Sequence, residues 1–364
     1  MLSLIGKWYE KTFSDPDALM LLILIIVVSA VLVLLGGYLM PVLVAIALAY
    51  LLEGAVQRVE QSVSSRLLAT CAVMLGFIGF MLISLISLLP TISQQTVNFI
   101  EEVPSLWQQL QAWMLTLPDS YPELVQAEQI RSINSEINQK VVGASQALIS
   151  MSFASLVGIG AMLVYMILVP LMMFFMLKDK QVLMDNIGTL LPNERRLIRQ
   201  VSSEMNVQIG NYIRGKVIEI LIVGAVSCVT FALMDLRYAM LLGVLVGLSV
   251  VIPYIGAAVV TIPVVLVAFI QWGFGAEFGY LMLAYFIIQA LDGNLLVPIL
   301  FSEAVSLHPL YIIIAVLFFG GLWGFWGVFF AIPLATLVKA VLNAWSTPVL
   351  RPAEDPSSKV VENA

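Results

Sequence analysis

Long apolar stretches without charge alternate with shorter charged stretches along this chain of 364 residues. Residues 18–52, 141–177, 238–276 and 304–338 contain no charged side chain. An α-helix needs about 20 apolar residues to cross the hydrocarbon core of a bilayer, so each window is long enough for at least one crossing. The pattern therefore predicts several membrane-spanning helices.

Breaks in this pattern set the expected helix boundaries. Asp15 and Pro16 are typical of a helix start, and Gly36, Gly37 and Pro41 predict a break in the first window. The expected spans are 17–37, 39–53, 67–89, 150–177 and 217–234, then one each from 238–276, from the segment between Glu277 and Glu303, and from 304–338. We expect an all-α polytopic membrane protein with about eight transmembrane helices, several broken or re-entrant, and an extracytoplasmic helical hairpin.

Two of the late windows contain helix-breaking residues near their middle. Pro253, Tyr254 and Gly256 interrupt the window 238–276, and a glycine-rich run at 320–327 interrupts the window 304–338. Each break fits either a kinked span or a re-entrant hairpin, which periodicity does not separate. We expect one span from each window, and we expect the glycine run to allow a bend or close helix packing.

These elements divide the chain into six regions. They are transmembrane helices 1–3 in residues 1–90, an extracytoplasmic helical region at 91–149, transmembrane helix 4 at 150–177, a cytoplasmic amphipathic region at 178–216, a transmembrane core with broken helices at 217–346, and a disordered cytoplasmic tail at 347–364.

The charges of two polar regions predict the orientation. Residues 178–216 carry seven Lys or Arg against four Asp or Glu, whereas residues 91–140 carry two basic and six acidic side chains. Because cytoplasmic loops are enriched in Lys and Arg, the first region is expected in the cytoplasm and the second outside. With an even number of spans, both termini are then cytoplasmic.

Both polar regions also show one-sided apolar stripes at helical spacing. The outer stripe predicts a projecting helical hairpin, which serves either as a structural cap or oligomer contact, or as a binding module for an envelope protein. The inner stripe comprises Leu197, Val201, Met205, Ile209 and Tyr212. It is typical of an amphipathic helix in the headgroup region, acting as a membrane anchor or as a gate at an inner opening.

The composition agrees with a membrane protein and excludes several functions. The chain is 61% hydrophobic and 11% charged, with a mean hydropathy of +1.01, whereas soluble domains are about a quarter charged. A net charge of -6 argues against a nucleic-acid partner, and the two cysteines lie in apolar runs. Without a nucleotide-binding loop, a nucleophile–base set or metal-ligand spacing, we expect neither an enzyme nor a cofactor or metal.

One carboxylate lies within an apolar segment. Asp292 is the only charged residue between Glu277 and Glu303, and an ionisable side chain at membrane depth marks a transport or coupling site by default. The run from Asp292 to Asn294 is also a turn signal, and helices broken at membrane depth form many transporter sites. The two hypotheses are a carboxylate that couples to protons or cations, and an aspartate that caps a half-helix.

Three motifs carry a resemblance to a known family. They are NYIRGK at 211–216, IPYIGA at 252–257 and QALDGNLLVP at 289–298, followed by LHPL at 307–310, GFWG at 324–327 and AIPL at 331–334. In this order the chain resembles the autoinducer-2 exporter family of bacterial inner-membrane permeases over nearly its whole length. The resemblance implies a permease that exports autoinducer-2 or exchanges sodium and protons, that forms homo-oligomers, and whose polar membrane position matches Asp292 and Asn294.

Further candidate residues lie close to these motifs. The expected substrate and ion pathway consists of Asp292, Asn294, Gln289, Pro253, Tyr254, Gly256 and Glu303. Gln289 and Asn294 fit either ligand contacts or packing between helices, and Tyr254 fits either a site closure or an interfacial anchor. Arg214, Lys216 and Glu219 fit either a gate or inner-surface anchoring with an i to i+3 pair. His308 fits either a titrating group or a helix start before Pro309.

The expected function is export of a small polar solute such as autoinducer-2 by an inner-membrane secondary permease, coupled to protons or sodium through Asp292. The alternative is an oligomeric membrane scaffold that binds envelope proteins through its extracytoplasmic helices. The expected partners are the lipid bilayer, the solute, the coupling ion and further copies of the chain, with an envelope protein in the scaffold alternative and no nucleic acid.

Overall fold

The computed structural model describes residues 16–120, 164–190, 196–301 and 307–346. Within these ranges the chain is helical except for short turns, and no strand occurs. Six helices in the described ranges are long and apolar enough to cross a membrane. The all-α polytopic fold class is therefore confirmed, and shorter apolar helices accompany these six in the described ranges.

The helices follow one another with few intervening residues. They are α1 (Pro16–Val63), α2 (Arg66–Ser120), α3 (Val164–Lys178), α4 (Lys180–Leu190), α5 (Arg196–Leu233), α6 (Ala239–Ser249), α7 (Ile255–Trp272), α8 (Ala276–Leu291), a π-helix (Asp292–Leu296), α9 (Val297–Phe301), α10 (Pro309–Phe329) and α11 (Ala331–Ser346).

The expected break in the first window is wrong. α1 runs without interruption from Pro16 to Val63, through both Gly36 and Gly37, and Pro41 lies inside it. In a bilayer core no water can satisfy an open backbone, so ending a helix there costs several hydrogen bonds. That cost exceeds the helix penalty of about 1 kcal/mol for each glycine, and a single proline is tolerated.

α2 also continues past the expected end of the third span near Leu89. Its later part contacts the residues around α6 and α7: Gln95 Oε1 accepts a 2.9 Å hydrogen bond from the Leu241 amide, and Trp113 packs edge-on against Phe269. The described half of the expected outer hairpin therefore contacts the residues around α6 and α7, and its projection from the membrane stays a prediction. Residues 121–149, the rest of that region, lie outside the described residues.

Ionic contacts join the end of α1 to α2 and α4. Glu53 forms ion pairs with Arg66 at 3.1 Å and with Lys180 at 2.9 Å. Arg66 also donates to the Leu177 carbonyl at 2.8 Å and pairs with Glu60 at 3.0 Å. These contacts place α3 next to α1 and α2. The expected fourth span ends where α3 ends, and its first part, 150–163, lies outside the described residues.

The inner amphipathic helix and the fifth span are one helix, α5. Val201 and Met205 are buried in a cluster with Leu337 and Val341 of α11. The interpretation of this stripe as a helix in the headgroup region is therefore wrong, because its apolar side chains pack against protein. A periodic stripe reports a buried face and does not distinguish lipid from a neighbouring helix.

Two glycines of α6 allow a close approach to α5. A Cβ added to Gly247 would lie 2.6 Å from Gly224 Cα, and one added to Gly243 would lie 2.4 Å from Cys228 Sγ. Small residues at a four-residue spacing therefore face each other across the interface, the arrangement that lets membrane helices pack without an intervening side chain. This contact holds the short helix α6 along the middle of α5.

α6 and α7 form an antiparallel hairpin, so the expectation of one span from 238–276 is wrong. Gln271, at the end of α7, accepts a 2.8 Å hydrogen bond from the Arg237 amide and donates a 2.7 Å bond to the Asp235 carbonyl. Both ends of the hairpin thus meet at the 234–238 loop. The 11 residues of α6 extend about 16 Å, too short to cross a bilayer alone, so this segment enters and returns.

The window 304–338 also folds back on itself, so the expectation of one span is wrong there too. Gly324 has φ 58° and ψ −135° within α10. Beyond it, a Cβ on Gly327 would lie 1.8 Å from the Phe319 carbonyl oxygen, although eight residues separate the two. The expected role of the glycine run is therefore confirmed, because Gly324 provides the bend and Gly327 the close packing.

The contact between α2 and the 234–238 loop gives a testable pH dependence. The Tyr238 hydroxyl donates to the Glu102 carboxylate, which also pairs with Arg237 at 2.9 Å. Burial, together with the bond to Glu102, raises the pKa of Tyr238 from 10.0 to about 12. The neutral phenol is thus favoured in the folded state, so this contact stabilises the protein fully below pH 10 and is lost as the pH rises through about 12.

We therefore expect Tyr238→Phe to lower Tm at pH 8 by the equivalent of about 1 kcal/mol, because the half-exposed hydrogen bond to a charged acceptor is lost. The difference from the wild type should shrink above pH 10 and vanish near pH 12, measured by thermal unfolding of the detergent-solubilised protein. Tyr280→Phe, at an exposed position of α8, is the matched control without an effect. A Tyr238→Phe difference that does not change with pH would contradict the assignment.

Candidate functional site

The chain does not break at Asp292 as the sequence suggested. Residues 292–296 form a π-helix between α8 and α9, and the Val297 amide donates to the Asp292 carbonyl five residues earlier. The glycine and asparagine that signal a turn are accommodated by this wider helix, which keeps the backbone bonded inside the membrane. Single π-turns within α-helices occur frequently at functional sites.

The side chain of Asp292 is buried and lacks a hydrogen-bond partner. Its exposed fraction is 8%, and Oδ1 has no partner among the described residues. The residue before the π-helix, Leu291, makes no side-chain cap either. The capping hypothesis is therefore not supported at Oδ1, and the carboxylate remains available for a ligand or a proton.

A buried ion pair lies on α5. Lys216 Nζ is 2.8 Å from Glu219 Oε2, and the two side chains are 4% and 2% exposed. Lys216 also donates to the Val250 carbonyl at 2.7 Å and lies 5.3 Å from the centre of the Phe301 ring. The expected i to i+3 pair is thus confirmed, whereas anchoring at the inner surface is wrong because both groups are inside the protein.

Asp292 interacts electrostatically with both Lys216 and Glu219. The structure therefore unites two sets of residues that the sequence analysis kept apart, one on α5 and one at the π-helix. We call Lys216, Glu219 and Asp292 the charged cluster. With all three groups ionised its net charge is -1, so the cluster is neutral only after it takes up one proton or one monovalent cation.

The turn between α6 and α7 lies directly at the charged cluster. Val250, whose carbonyl binds Lys216, is the first residue after α6. Gly256 makes the turn tight, since a Cβ there would lie 1.8 Å from the Ser249 carbonyl oxygen. The break at Pro253 and Gly256 fits either freed backbone carbonyls that line a polar cavity or a simple tight turn. The tight turn applies to Gly256, and the carbonyl that reaches the site comes from Val250. Tyr254 is 58% exposed, with φ 63°.

Polar side chains continue from the charged cluster along α8. Gln289 lies one turn before Asp292 and beside the Tyr285 hydroxyl, and its Nε2 is buried. Tyr285 shares a 2.7 Å hydrogen bond with Thr261 of α7. These side chains form a row of polar groups that leads from Asp292 into the interface of α7 and α8.

Other candidate residues are not brought to this place. Asn294 is exposed and donates to the Ala290 carbonyl at 2.8 Å. Arg214 is exposed and bonds Gly210 and Asn211 within its own helix. His308 caps α10 by accepting from the Leu310 amide at 3.2 Å, so its helix-start interpretation is confirmed. Glu303 lies outside the described residues.

The sequence analysis missed Val250, Thr261, Tyr285 and Phe301 as members of the site. Tyr285, Gln289 and Asp292 share one face of a helix at i, i+4 and i+7, a spacing that was readable from the sequence. Thr261 and Phe301 carry no comparable signal, because apolar neighbours surround them. The Val250 carbonyl is a backbone group, and only the fold of the hairpin assigns it to Lys216.

The chain is similar in sequence to known transport proteins. The family model described as AI-2E family transporter matches residues 20–347. The chain belongs to the AI-2E transporter family. "Putative permease PerM" of Escherichia coli is 49% identical over 345 residues, covering 95% of this chain and 98% of that protein. "Putative transport protein YueF" of Bacillus subtilis is 28% identical over 305 residues, covering 82% of each chain.

A third AI-2E relative bears a substrate in its name. "AI-2 transport protein TqsA" of Escherichia coli is 29% identical over 123 residues, covering 34% of this chain and 36% of that protein. Family membership together with the long apolar helices makes this chain a multi-pass membrane protein of a transporter family. The charged cluster lies inside the helical core of that transporter.

Proposed function

We propose that the protein is an inner-membrane secondary permease that exports a small polar solute, with proton or sodium coupling through Asp292. The observation that carries the proposal is the buried charged cluster, whose charges sum to -1 and whose Asp292 Oδ1 is unpartnered. An uncompensated carboxylate in a membrane core is expensive to keep, and transport or coupling is the usual reason for its presence.

Coupling follows from the electrostatics of this cluster. Burial of the ionised Asp292 carboxylate in the apolar core costs free energy, and binding of a proton or cation removes most of that cost. The neutralised and the ionised forms of Asp292 therefore differ in their stability in apolar surroundings. A proton or cation that binds there shifts the balance between conformations that place Asp292 in different surroundings. Alternating access around the α6–α7 turn and the π-helix would then link ion movement to solute movement.

The charged cluster lies far from the 234–238 loop, so most of the membrane thickness separates it from that side. Lys216 lies 17 residues before Leu233, about 25 Å along α5 from the 234–238 loop at about 1.5 Å per residue. Under the orientation that we propose, with both termini cytoplasmic, this loop is extracytoplasmic and the cluster lies toward the cytoplasmic side. The solute would therefore meet the cluster soon after entering from the cytoplasm, whereas the coupling ion would reach it from the opposite side.

The proposed solute is similar to autoinducer-2. The name of the TqsA relative supports this, as do Gln289, Tyr285 and Thr261, which offer amide and hydroxyl groups to a polyol. The buried Nε2 of Gln289 would donate to a hydroxyl oxygen of the solute. Assembly as a homo-oligomer is proposed with it, and its test is the mass of the purified protein in nanodiscs.

The proposal is tested by efflux of autoinducer-2 from preloaded proteoliposomes of uniform orientation, with and without an inward proton gradient. In a second series, an inward sodium gradient replaces the proton gradient. We expect efflux above that of protein-free liposomes, accelerated by one of the two gradients. Equal efflux from protein-containing and protein-free liposomes would remove this solute from the proposal.

The scaffold alternative makes the opposite set of predictions. If the outer helical region binds an envelope protein, deleting residues 95–140 removes the cellular phenotype while a variant without the Asp292 carboxylate keeps it. A phenotype that instead requires Asp292 and tolerates changes in 95–140 supports the permease. The close packing of α2 on the residues around α6 and α7 already assigns part of this region a structural role.

A further inference from the structure

We infer that Lys216 is a built-in cation of the coupling site, so that the ion exchanged at Asp292 is a proton and not a metal ion. The inference rests on the proposed function, in which the charged cluster couples ion and solute movement, and it names the ion. It is based on the hydrogen bonds that the Lys216 ammonium group donates to the oxygen atoms around it.

The ammonium group of Lys216 occupies the centre of the site. It has three N–H donors. Its partners are Glu219 Oε2 at 2.8 Å, the Val250 carbonyl at 2.7 Å and the face of the Phe301 ring at 5.3 Å. Two oxygens and one aromatic face match those three donors, so the position that a bound cation would take between them is already filled.

The remaining oxygen atoms are too few for a desolvated metal ion. Hard cations in proteins take about six or more oxygen ligands, from carboxylates, carbonyls and water. Among the described residues, no group of three or more acidic, histidine or cysteine side chains is positioned to hold a metal ion. Asp292 Oδ1 is buried without a hydrogen-bond partner among the described residues, and a single oxygen is sufficient to hold a proton.

Few other charged or titratable groups face the cluster in the described part of the chain. On α5, Tyr212 interacts electrostatically with Glu219, and on α8 Tyr285 lies beside Gln289. Arg214 bonds within its own helix and is exposed. A proton taken up by Asp292 changes the net charge of the cluster from -1 to zero, while the Lys216–Glu219 pair stays intact.

This assignment predicts what happens when the built-in cation is removed. In Lys216→Met, two carboxylates remain around a space once filled by an ammonium group, and the Val250 carbonyl also loses its donor. A sodium ion can then enter that space. The wild type, whose space is filled by Lys216, should be indifferent to sodium.

The experiment compares the Tm of the full-length protein in nanodiscs in sodium chloride and in choline chloride at equal ionic strength. We expect the same Tm in both salts for the wild type. For Lys216→Met we expect a low Tm in choline chloride that rises by several degrees in sodium chloride. Lys178→Met, which removes an exposed lysine paired with Asp179, is the matched control and should show no sodium effect.

The comparison of the wild type with Asp292→Asn keeps the inference testable if Lys216→Met does not fold in either salt. A wild-type Tm that rises with sodium, and no longer does so in Asp292→Asn, would show a metal-ion site at Asp292 and overturn the inference. A folded Lys216→Met protein with equal Tm in both salts would also overturn it. No solute is used, so a failure to transport autoinducer-2 leaves this test unaffected.

Discussion

Replacing Asp292 with asparagine is expected to abolish gradient-driven efflux, reducing it to the rate of protein-free liposomes. The amide keeps the size of the carboxylate but neither carries charge nor binds a proton, so the charged cluster is neutral whatever the pH. A site that never changes its charge has nothing to couple to the gradient. The protein should reach the membrane at the wild-type level, because the replaced Oδ1 has no hydrogen bond to lose.

The measurement is the efflux rate of autoinducer-2 from proteoliposomes at several pH values inside and outside. Asp185→Asn is the matched control, since Asp185 is an exposed aspartate of α4 that contacts Gln181. We expect it to behave as the wild type. If Asp292→Asn retains flux with the wild-type pH dependence, Asp292 is not the coupling group.

Removing either partner of the buried ion pair should destabilise the protein to very different extents. Lys216→Met leaves Glu219 and Asp292 buried without their cation, and breaking a buried pair in this way costs about 3–5 kcal/mol. Glu219→Gln leaves Lys216 charged, and we expect the Asp292 carboxylate, which interacts electrostatically with Lys216, to become its partner. We expect a loss of about 1 kcal/mol for Glu219→Gln, the net value of an ordinary hydrogen bond.

Reversible unfolding in mixed micelles with increasing denaturing detergent measures this difference. The double variant Lys216→Met/Glu219→Gln is the internal control, because removing both charges of the pair should recover part of the stability lost in Lys216→Met. Equal losses for the two single variants would mean that Asp292 does not substitute for Glu219. Such a result would place Asp292 outside the electrostatic range of Lys216.

The sequence was sufficient to predict the fold class and the most important carboxylate. Asp292 stands out because a single charge in a long apolar segment is visible in one dimension. Its partners are not visible in this way: Lys216 lies 76 residues earlier and resembles one more basic residue of a cytoplasmic segment. Only the antiparallel path of α6 and α7, and of α8 after them, brings Lys216, the Val250 carbonyl and Asp292 together.

The positions at which helices end were the least predictable feature. Gly36, Gly37 and Pro41 did not end α1, and the Asp292–Asn294 run did not end the helix that contains it, whereas Gly324 bends α10 sharply. The same residue types thus act differently, because the bilayer penalises an open backbone wherever no neighbouring protein satisfies it. Tertiary packing therefore determines whether a helix ends at such a residue, and the positions of glycine and proline in the sequence do not reveal that packing.

The π-helix at residues 292–296 affects how related sequences should be compared with this one. Its i to i+5 bonding holds one residue more than an α-helix of equal axial length, so the side chains of α8 and α9 differ in rotational phase from those of one uninterrupted α-helix. A relative that lacks the extra residue would turn α9, with Phe301, relative to Asp292. Alignments through this segment therefore need to allow a single-residue gap, and the residue paired with Asp292 should be chosen by phase instead of by the ungapped count.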